Sequence, residues 1–523
     1  MSATKYQRNI AKLISELAGY DHVSVIEAAV NSLISKRADG VDTWRRLPWI
    51  QFFLLKLALL GESGAKKMGV AEFNRFANRL YSVQSDAAGL SASSVQLQLR
   101  PMILQQMWYQ RDMETTTVAL IRQRLFFIGK NEWYALEFEK RTGLKLNYFY
   151  AITIYILTVV RDHDYTAVNI NLFELLHKLC PAIPYVQILN YFALVGVRTA
   201  DLPGYVKMHK LDGVHQSEYF QDTPLKGKPI LVNGEHMLVV DIHMFAGAVG
   251  DFVPDFLKRI PYHKDYFGPD FQDYIDGLLG HAELSFWREQ PQLEGFYKQH
   301  GLTGKIVDFL VEGPDRIVLV ECKAIEPSPV VKTASNPLLL KKNLEESFIK
   351  GIKQGVHAAY GLGSTPRFAG KKFSLLIVTH EDFGIYGGRW VADFIEPELS
   401  SWMTESYPGV MLSLDDIFYC TVEDFENLTR GHLIGVCDFH AVVASASTAG
   451  IDPIRQRLVF NQHLSEQIAG SIGRHPPLAE EIHDCLGGLS STYMKNRKYW
   501  GSNVAELILT RNHLVANLNF LRL

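Results

Sequence analysis

The segment Ile306–Lys323, IVDFLVEGPDRIVLVECK, limits what this chain can fold into more than any other. Two runs of β-branched and large apolar residues, 306–311 and 317–321, flank Glu312-Gly313-Pro314-Asp315-Arg316. Such runs fit strands buried on both faces. Pro314 suits the second position of a tight turn, with Gly313 and Asp315 beside it. A hairpin centred between Pro314 and Asp315 sets Asp308 directly opposite Glu321 on one face. Lys323 joins that face, and Cys322 points the other way. Buried strands do not carry two carboxylates and an amine without compensation, because an unpaired charge in a low dielectric is costly.

Opposed carboxylates in a sheet repel. A divalent cation turns the repulsion into attraction. Mg²⁺, with Mn²⁺ as the alternative, takes one or two carboxylates together with water and substrate phosphate. The backbone carbonyl of Cys322 is a further oxygen, so the candidate metal-holding residues are Asp308, Glu321 and Cys322. Lys323 suits the orientation or deprotonation of a water, or the stabilisation of negative charge. The competing reading is a half-exposed hairpin with a solvated polar face. Phe309, Val311, Val318 and Val320, close around the same charges, weigh against it.

Asp308 followed by Glu321-Cys322-Lys323 resembles the motif of the PD-(D/E)xK, or restriction-endonuclease-like, nuclease superfamily, with Val307 in place of the proline. The surroundings agree. Ala324–Leu338 reads as a loop, Lys341–Gly361 as a helix with the apolar stripe Leu344, Phe348, Ile352, Val356 and Ala359, and Phe373–Thr379 as a strand. The resemblance implies a restriction-endonuclease-like α/β core and Mg²⁺-dependent hydrolysis of phosphodiester bonds in DNA, or in RNA such as tRNA. It also implies a site role for Gln354 on that helix. From the residues alone, Gln354 fits a solvated face with Lys350 and His357 equally well. The resemblance further implies a glutamate on the preceding helix, read over Gly268–Leu279. Gln272 stands at that position, with the carboxylates of Asp273, Asp276 and Glu283 nearby, so the third acid stays open. Residues 331–372 are locally basic, which suits either a phosphate-tracking surface or a solvated helix face.

At 523 residues the chain is too long for one ordinary domain. The expected architecture is multidomain α+β. Residues 1–200 read as helical, with Ile10, Leu13, Ile14 and Leu17 on one face and Val25, Ile26, Ala29 and Leu33 on another. Ser24 and Glu27 fit a capping box for the second of these helices. Trp44, Trp49, Trp108 and Trp133 read as core. Residues 201–262 read as a β-rich connector, because Asn233-Gly234 lies between apolar runs in Pro229–Asp241. Residues 263–445 read as the nuclease core, with Val410–Phe418 a strand running into a helix capped by Ser413. Residues 446–523 read as a helical C-terminal region. The helical mass beyond the core resembles the sensor regions of bacterial anti-phage defence effectors, which implies a phage-derived trigger as partner. A second copy of the chain is another candidate partner. The alternative from another class is a catalytically silent nucleic-acid-binding or scaffold protein that keeps the fold.

The 53 basic and 56 acidic residues nearly cancel, so a strongly basic nucleic-acid binder is not indicated, although one cleft can still be positive. The five cysteines lack CxxC spacing, which argues against a zinc framework or a disulfide scaffold. MSATKYQRNI lacks the apolar core of a signal peptide, and Tyr148–Val160 is shorter than the roughly 20 residues a membrane span needs. A cytoplasmic protein without membrane contact is expected. His463, His475 and His483 are too dispersed for a metal motif. Asp241-Ile242-His243 and Cys437-Asp438-Phe439-His440 read as hydrogen-bonded or exposed groups rather than ligands. Walker A, GxGxxG and GxSxG motifs in the right surroundings are missing, so NTP-driven or acyl-transfer chemistry is not supported.

Overall fold

A computed structural model describes residues 4–34, 47–89, 94–451, 457–468, 470 and 472–521. The protein is mixed α+β, with a helical N-terminal region, C-terminal helices and two small mixed sheets. Its residues group into two compact units. The first comprises Met1–Ser93, Met102–Pro261 and Glu480–Leu523, and the second Ser94–Pro101 and Tyr262–Ala479.

The four segments read from the sequence re-sort into these two. The hairpin β3 (Ile230–Asn233) and β4 (His236–Val239) forms as expected. Its partners, however, are β1 (Val168–Ile170) and β2 (Gly196–Arg198), in the order β1-β4-β3-β2. Because β1 and β2 come from the segment read as helical, residues 201–262 do not form a sheet of their own. The tail divides as well, with 446–479 counted in the second unit and 480–523 in the first.

In the first unit the expected apolar faces are the buried ones. Ile10, Leu13 and Leu17 are buried on the helix Lys5–Leu17, and Val25, Ile26, Ala29 and Leu33 on the helix His22–Leu33. The cap of the second differs from the reading. Asp21 accepts the Ser24 backbone N–H, while Ser24 sits inside the first turn and its hydroxyl donates to the Asp21 carbonyl. An aspartate three residues upstream outcompetes the serine because its charged oxygen is the better acceptor at a helix N-terminus. Tyr148–Val160 lies within the mostly buried helix Leu146–Arg161. No single helix among the described residues is long and apolar enough to cross a membrane. Trp49 and Trp108 are buried and Trp133 is half-buried, whereas Trp44 lies outside the described residues.

The second unit is built on β5 (Phe286–Arg288), β6 (Phe309–Val311), β7 (Arg316–Lys323), β8 (Lys372–Thr379) and β9 (Ile417–Thr421), in that spatial order. The first three form an antiparallel meander, and β7, β8 and β9 run parallel. The hairpin has the expected register, with Phe309 opposite Val320 and Val311 opposite Val318. One face of the sheet, carrying Leu310, Leu319, Leu375, Ile377 and Tyr419, packs on Phe348, Ile352 and Val356. The other face meets the helix His263–His281, which packs against β7. Asp308 and Glu321 share the parity of Leu310 and Leu319. Those leucines are therefore the apolar neighbours on their face, and Phe309, Val311, Val318 and Val320 line the opposite one.

The expected helix over 341–361 begins earlier, at Pro337. A π-helical turn, Glu345–Ile349, separates Pro337–Leu344 from Lys350–Gly363. Asn336 caps the first piece by accepting the Leu339 N–H. The loop before it contains the short helix Pro329–Thr333. Between 410 and 418 the order is the reverse of the reading: a 3₁₀ turn, Leu414–Asp416, precedes β9. The capping box belongs to Thr421 and Asp424, which start the helix Val422–Leu433. Ser413 instead donates to the Asp416 side chain.

Gly355 sets how closely the helix Lys350–Gly363 lies on β8, since a Cβ there would stand 2.3 Å from Leu375 Cδ2. Gly355→Ala is expected to destabilise the protein by about 1–3 kcal/mol through overpacking. Denaturant unfolding measures this, and an unchanged midpoint would show that the helix yields freely.

Candidate active site

The meander creates a row of three carboxylates. Arg288 pairs with Phe309, so the next residue on the β5 side, Glu289, stands opposite Asp308, and Asp308 stands opposite Glu321. The Glu289 N–H donates to the Asp308 carbonyl at 2.8 Å, which extends the ladder by one residue. Residues directly opposite in antiparallel pairs share a face, with Cα atoms about 4.5–5.5 Å apart. The three acids therefore belong to one cross-strand row.

Each is held differently. Asp308 Oδ2 accepts the Cys322 backbone N–H at 2.6 Å. Glu321 is 3% exposed, and its Oε1 accepts from Lys323 Nζ at 2.6 Å. Its other oxygen, Oε2, is buried without a hydrogen-bond partner among the described residues. Lys323 Nζ also reaches Gln354 Oε1 at 3.3 Å. Gly351, one helical turn before Gln354, faces β8 closely, since a Cβ there would stand 3.1 Å from Ile377 Cδ1.

The electrostatics follow from crowding negative charge in a dry place. Burial, and then the neighbouring Glu321, pushes the Asp308 carboxyl up to about 7. Burial raises Glu321 too, against the pull of Lys323 and with Glu289 adding to the rise. Glu289 is raised by burial and then by Asp308. Burial drives the Cys322 thiol well above its ordinary range, so the thiol stays protonated. Lys323 is the cation beside Asp308 and Glu321, while Lys305 acts on Glu289.

The structure thus brings together Asp308, Glu321, Lys323 and Gln354, with Cys322 contributing its backbone. It does not assemble the acids expected from the helix His263–His281. Gln272 is half-buried there, Asp273 is exposed, and Asp276 is ion-paired with Arg288. Glu283 is exposed in the following turn, in the left-handed region at φ 57°. The acid that joins Asp308 and Glu321 in the row is Glu289, which comes from the sheet rather than the helix. Its strand spans only Phe286–Arg288 and Pro291 follows closely, so no alternation marks it in the sequence. The usable signal is the acid that follows Phe286-Trp287-Arg288, at the end of the short strand.

Two other buried features escaped the sequence. His380, just past β8, has Nδ1 2.7 Å from Glu326 Oε1. Arg100, fully buried, donates to the carbonyls of Val331 and Phe383, both at 2.7 Å. It ties down the segment that follows β7. The isolated histidine matches keep ordinary roles. Asp241 caps a helix through the Met244 N–H, His243 Nδ1 lies 3.1 Å from the Arg111 carbonyl, and Asp438 accepts the Ala441 N–H.

Among the described residues, no group of three or more His, Cys, Asp or Glu side chains is close enough to hold a metal together. A site of two carboxylates completed by backbone, water and substrate oxygens is the arrangement Mg²⁺ commonly uses. The unpartnered Glu321 Oε2 and the raised acids beside it suit such a cation. Comparison with family models, with curated proteins and with solved structures gave no match.

Proposed function

We propose that this chain is a Mg²⁺-dependent nuclease of restriction-endonuclease-like type, hydrolysing phosphodiester bonds in DNA or RNA. The observation that carries the reading is Glu321, a buried carboxylate beside Asp308 with one oxygen on Lys323 and the other unpartnered among the described residues. The succession β6, β7, the helix Lys350–Gly363 and β8 supports it, since strand, strand, helix, strand is the order that the motif resemblance implies.

Asp308, Glu321 and the Cys322 carbonyl would hold the ion, with Glu289 as a further acid at the row's end. When bound, Mg²⁺ offsets phosphate charge and makes a coordinated water more acidic. The chain's own part is positioning. Gln354 and Glu321 fix the Lys323 ammonium, which orients the attacking water or stabilises charge on the phosphate. Leu310 and Leu319 keep the base of the site dry, which strengthens each charge interaction there. We assign trigger recognition, as in an anti-phage effector, to the helix-rich first unit.

The absence of a three-ligand cluster among the described residues favours one competing reading, a silent nucleic-acid-binding protein with the same fold. Purified protein incubated with plasmid, single-stranded DNA, total RNA and tRNA separates the two. Cleavage with Mg²⁺ that EDTA stops supports the nuclease. Saturable binding with no cleavage, also in extracts of phage-infected cells, supports the silent reading. Glu289→Gln is expected to weaken cleavage about tenfold or more and to raise the Mg²⁺ concentration at half-maximal rate, since a charged neighbour of the ion is lost. A metal titration of the rate reads both effects, and an unchanged curve removes Glu289 from the site.

A further inference from the structure

A cavity of about 160 Å³ lies at the β9 edge of the second unit, with β8 between β9 and the acid-bearing β7. Aromatic and polar groups share its lining: Tyr386, Trp390, Phe394 and Phe418, with Asp393 and Arg457. Gly387 and Gly388 make it possible. A Cβ on Gly387 would stand 2.3 Å from the Ile417 carbonyl oxygen, and one on Gly388 3.0 Å from Ile417 Cβ. The chain therefore crosses directly over the strand, where Gly387 bridges to Phe418.

The volume sets the size of an occupant. Drug-sized pockets run to about 300–1,000 Å³, and a cavity of about 150 Å³ accepts a single benzene-sized molecule. A compact planar ring system fits, and a whole nucleotide does not. The polar lining sets its chemistry. Arg389 is already held by both oxygens of Asp415, at 3.0 and 2.8 Å, and Arg457 pairs with Glu466. No guanidinium is left uncommitted for a phosphate, so an anionic ligand is disfavoured. Arg457 Nε, however, is buried without a hydrogen-bond partner among the described residues. A purely apolar ring would leave that donor unmet, at a cost. The ligand must then offer an acceptor to Arg457 and a donor to Asp393, on a flat body that aromatic side chains can cover.

We propose that this cavity binds a purine base, free or as its nucleoside, with the sugar towards solvent. Guanine carries both edges, ring and carbonyl acceptors for an arginine and N–H donors for a carboxylate. The site stands apart from the acidic row and goes beyond the hydrolytic reading.

Isothermal titration calorimetry of the full chain tests it, with guanosine, adenosine, cytidine and indole as titrants. Saturable binding of guanosine ahead of cytidine and indole is expected. Asp393→Asn, at an exposed position, and Arg457→Gln should each weaken it at least tenfold, while Glu321→Gln leaves it unchanged. Three results would overturn the proposal: no saturable purine binding, affinity unaffected by both cavity variants, or loss of binding in Glu321→Gln. The last would place the ligand in the acidic row. Far-ultraviolet circular dichroism of each variant identifies any that fails to fold, and Asp393→Asn alone then decides.

Discussion

Glu321→Gln is expected to lower Mg²⁺-dependent cleavage by at least about a hundredfold without lowering the melting temperature. The carboxylate is buried, lies in a row with two other acids, and has one oxygen unpartnered. The amide keeps the shape and an acceptor for Lys323, and removes a charge that the metal-free fold holds at a cost. Sites that trade stability for function respond this way. Lys323→Ala should abolish cleavage to a similar degree with the opposite effect on stability. It removes the ammonium that compensates Glu321, and stripping one partner from a buried pair costs about 3–5 kcal/mol. Melting curves and cleavage rates of the two variants check this together. Cleavage that survives both changes would sink the catalytic assignment. A fall in melting temperature for Glu321→Gln would make the glutamate a structural group.

The second large effect is a dependence of stability on pH that Mg²⁺ reverses. In the metal-free fold Asp308 is raised from the ordinary aspartate value of 3.8 to about 7. The folded state then binds the proton more tightly than the unfolded chain between those values. Stability from this group is fully present below about pH 4, and falls as pH rises to about 7. Asp382, also raised to about 7 by burial, adds the same slope. The informative quantity is therefore the difference between the wild type and Asp308→Asn, which should lose part of the decline. Mg²⁺ at pH 8 should restore stability, because an ion that binds only the folded state stabilises it by mass action. The gain should be smaller at pH 5, where protons compete for the carboxylates. Thermal melts at both pH values, with Mg²⁺ and with EDTA, read this directly. A Mg²⁺ response that persists in Asp308→Asn would place the ion elsewhere.

The hairpin was legible because its signals are local. Pro314 and Gly313 define a turn, and the turn fixes which residues face each other, so the opposition of Asp308 and Glu321 follows from counting. Gln354 was reachable only through the motif resemblance, because the helical phase alone sets it opposite the apolar stripe with Lys350 and His357, where a solvated face fits equally well. Glu289 was not legible. It reaches the row through pairing between β5 and β6, separated by the helix Glu294–His300, and no local periodicity encodes that contact. Arg100 is the extreme case, since its carbonyl partners lie more than two hundred residues away in the chain. The cap at Asp21 and the strand at Ile417 failed for another reason. At the cap, the aspartate three residues before Ser24 is the stronger acceptor, and at the strand the 3₁₀ turn Leu414–Asp416 delays the start to Ile417.

The interleaving of the two units bears on how the chain is made. Residues 480–521 close the first unit through Glu481 on Arg124, Asn496 on the Lys178 carbonyl and Trp500 Nε1 on the Cys180 carbonyl at 2.6 Å. The intervening 262–479 supply the whole acidic row and its sheet. During synthesis the row and its sheet emerge from the ribosome before the first unit has its last helices. If domains fold as they emerge, the acid-bearing sheet forms while the first unit is still incomplete. A chain released short of residue 480 would carry the acidic row without the C-terminal helices that close the first unit.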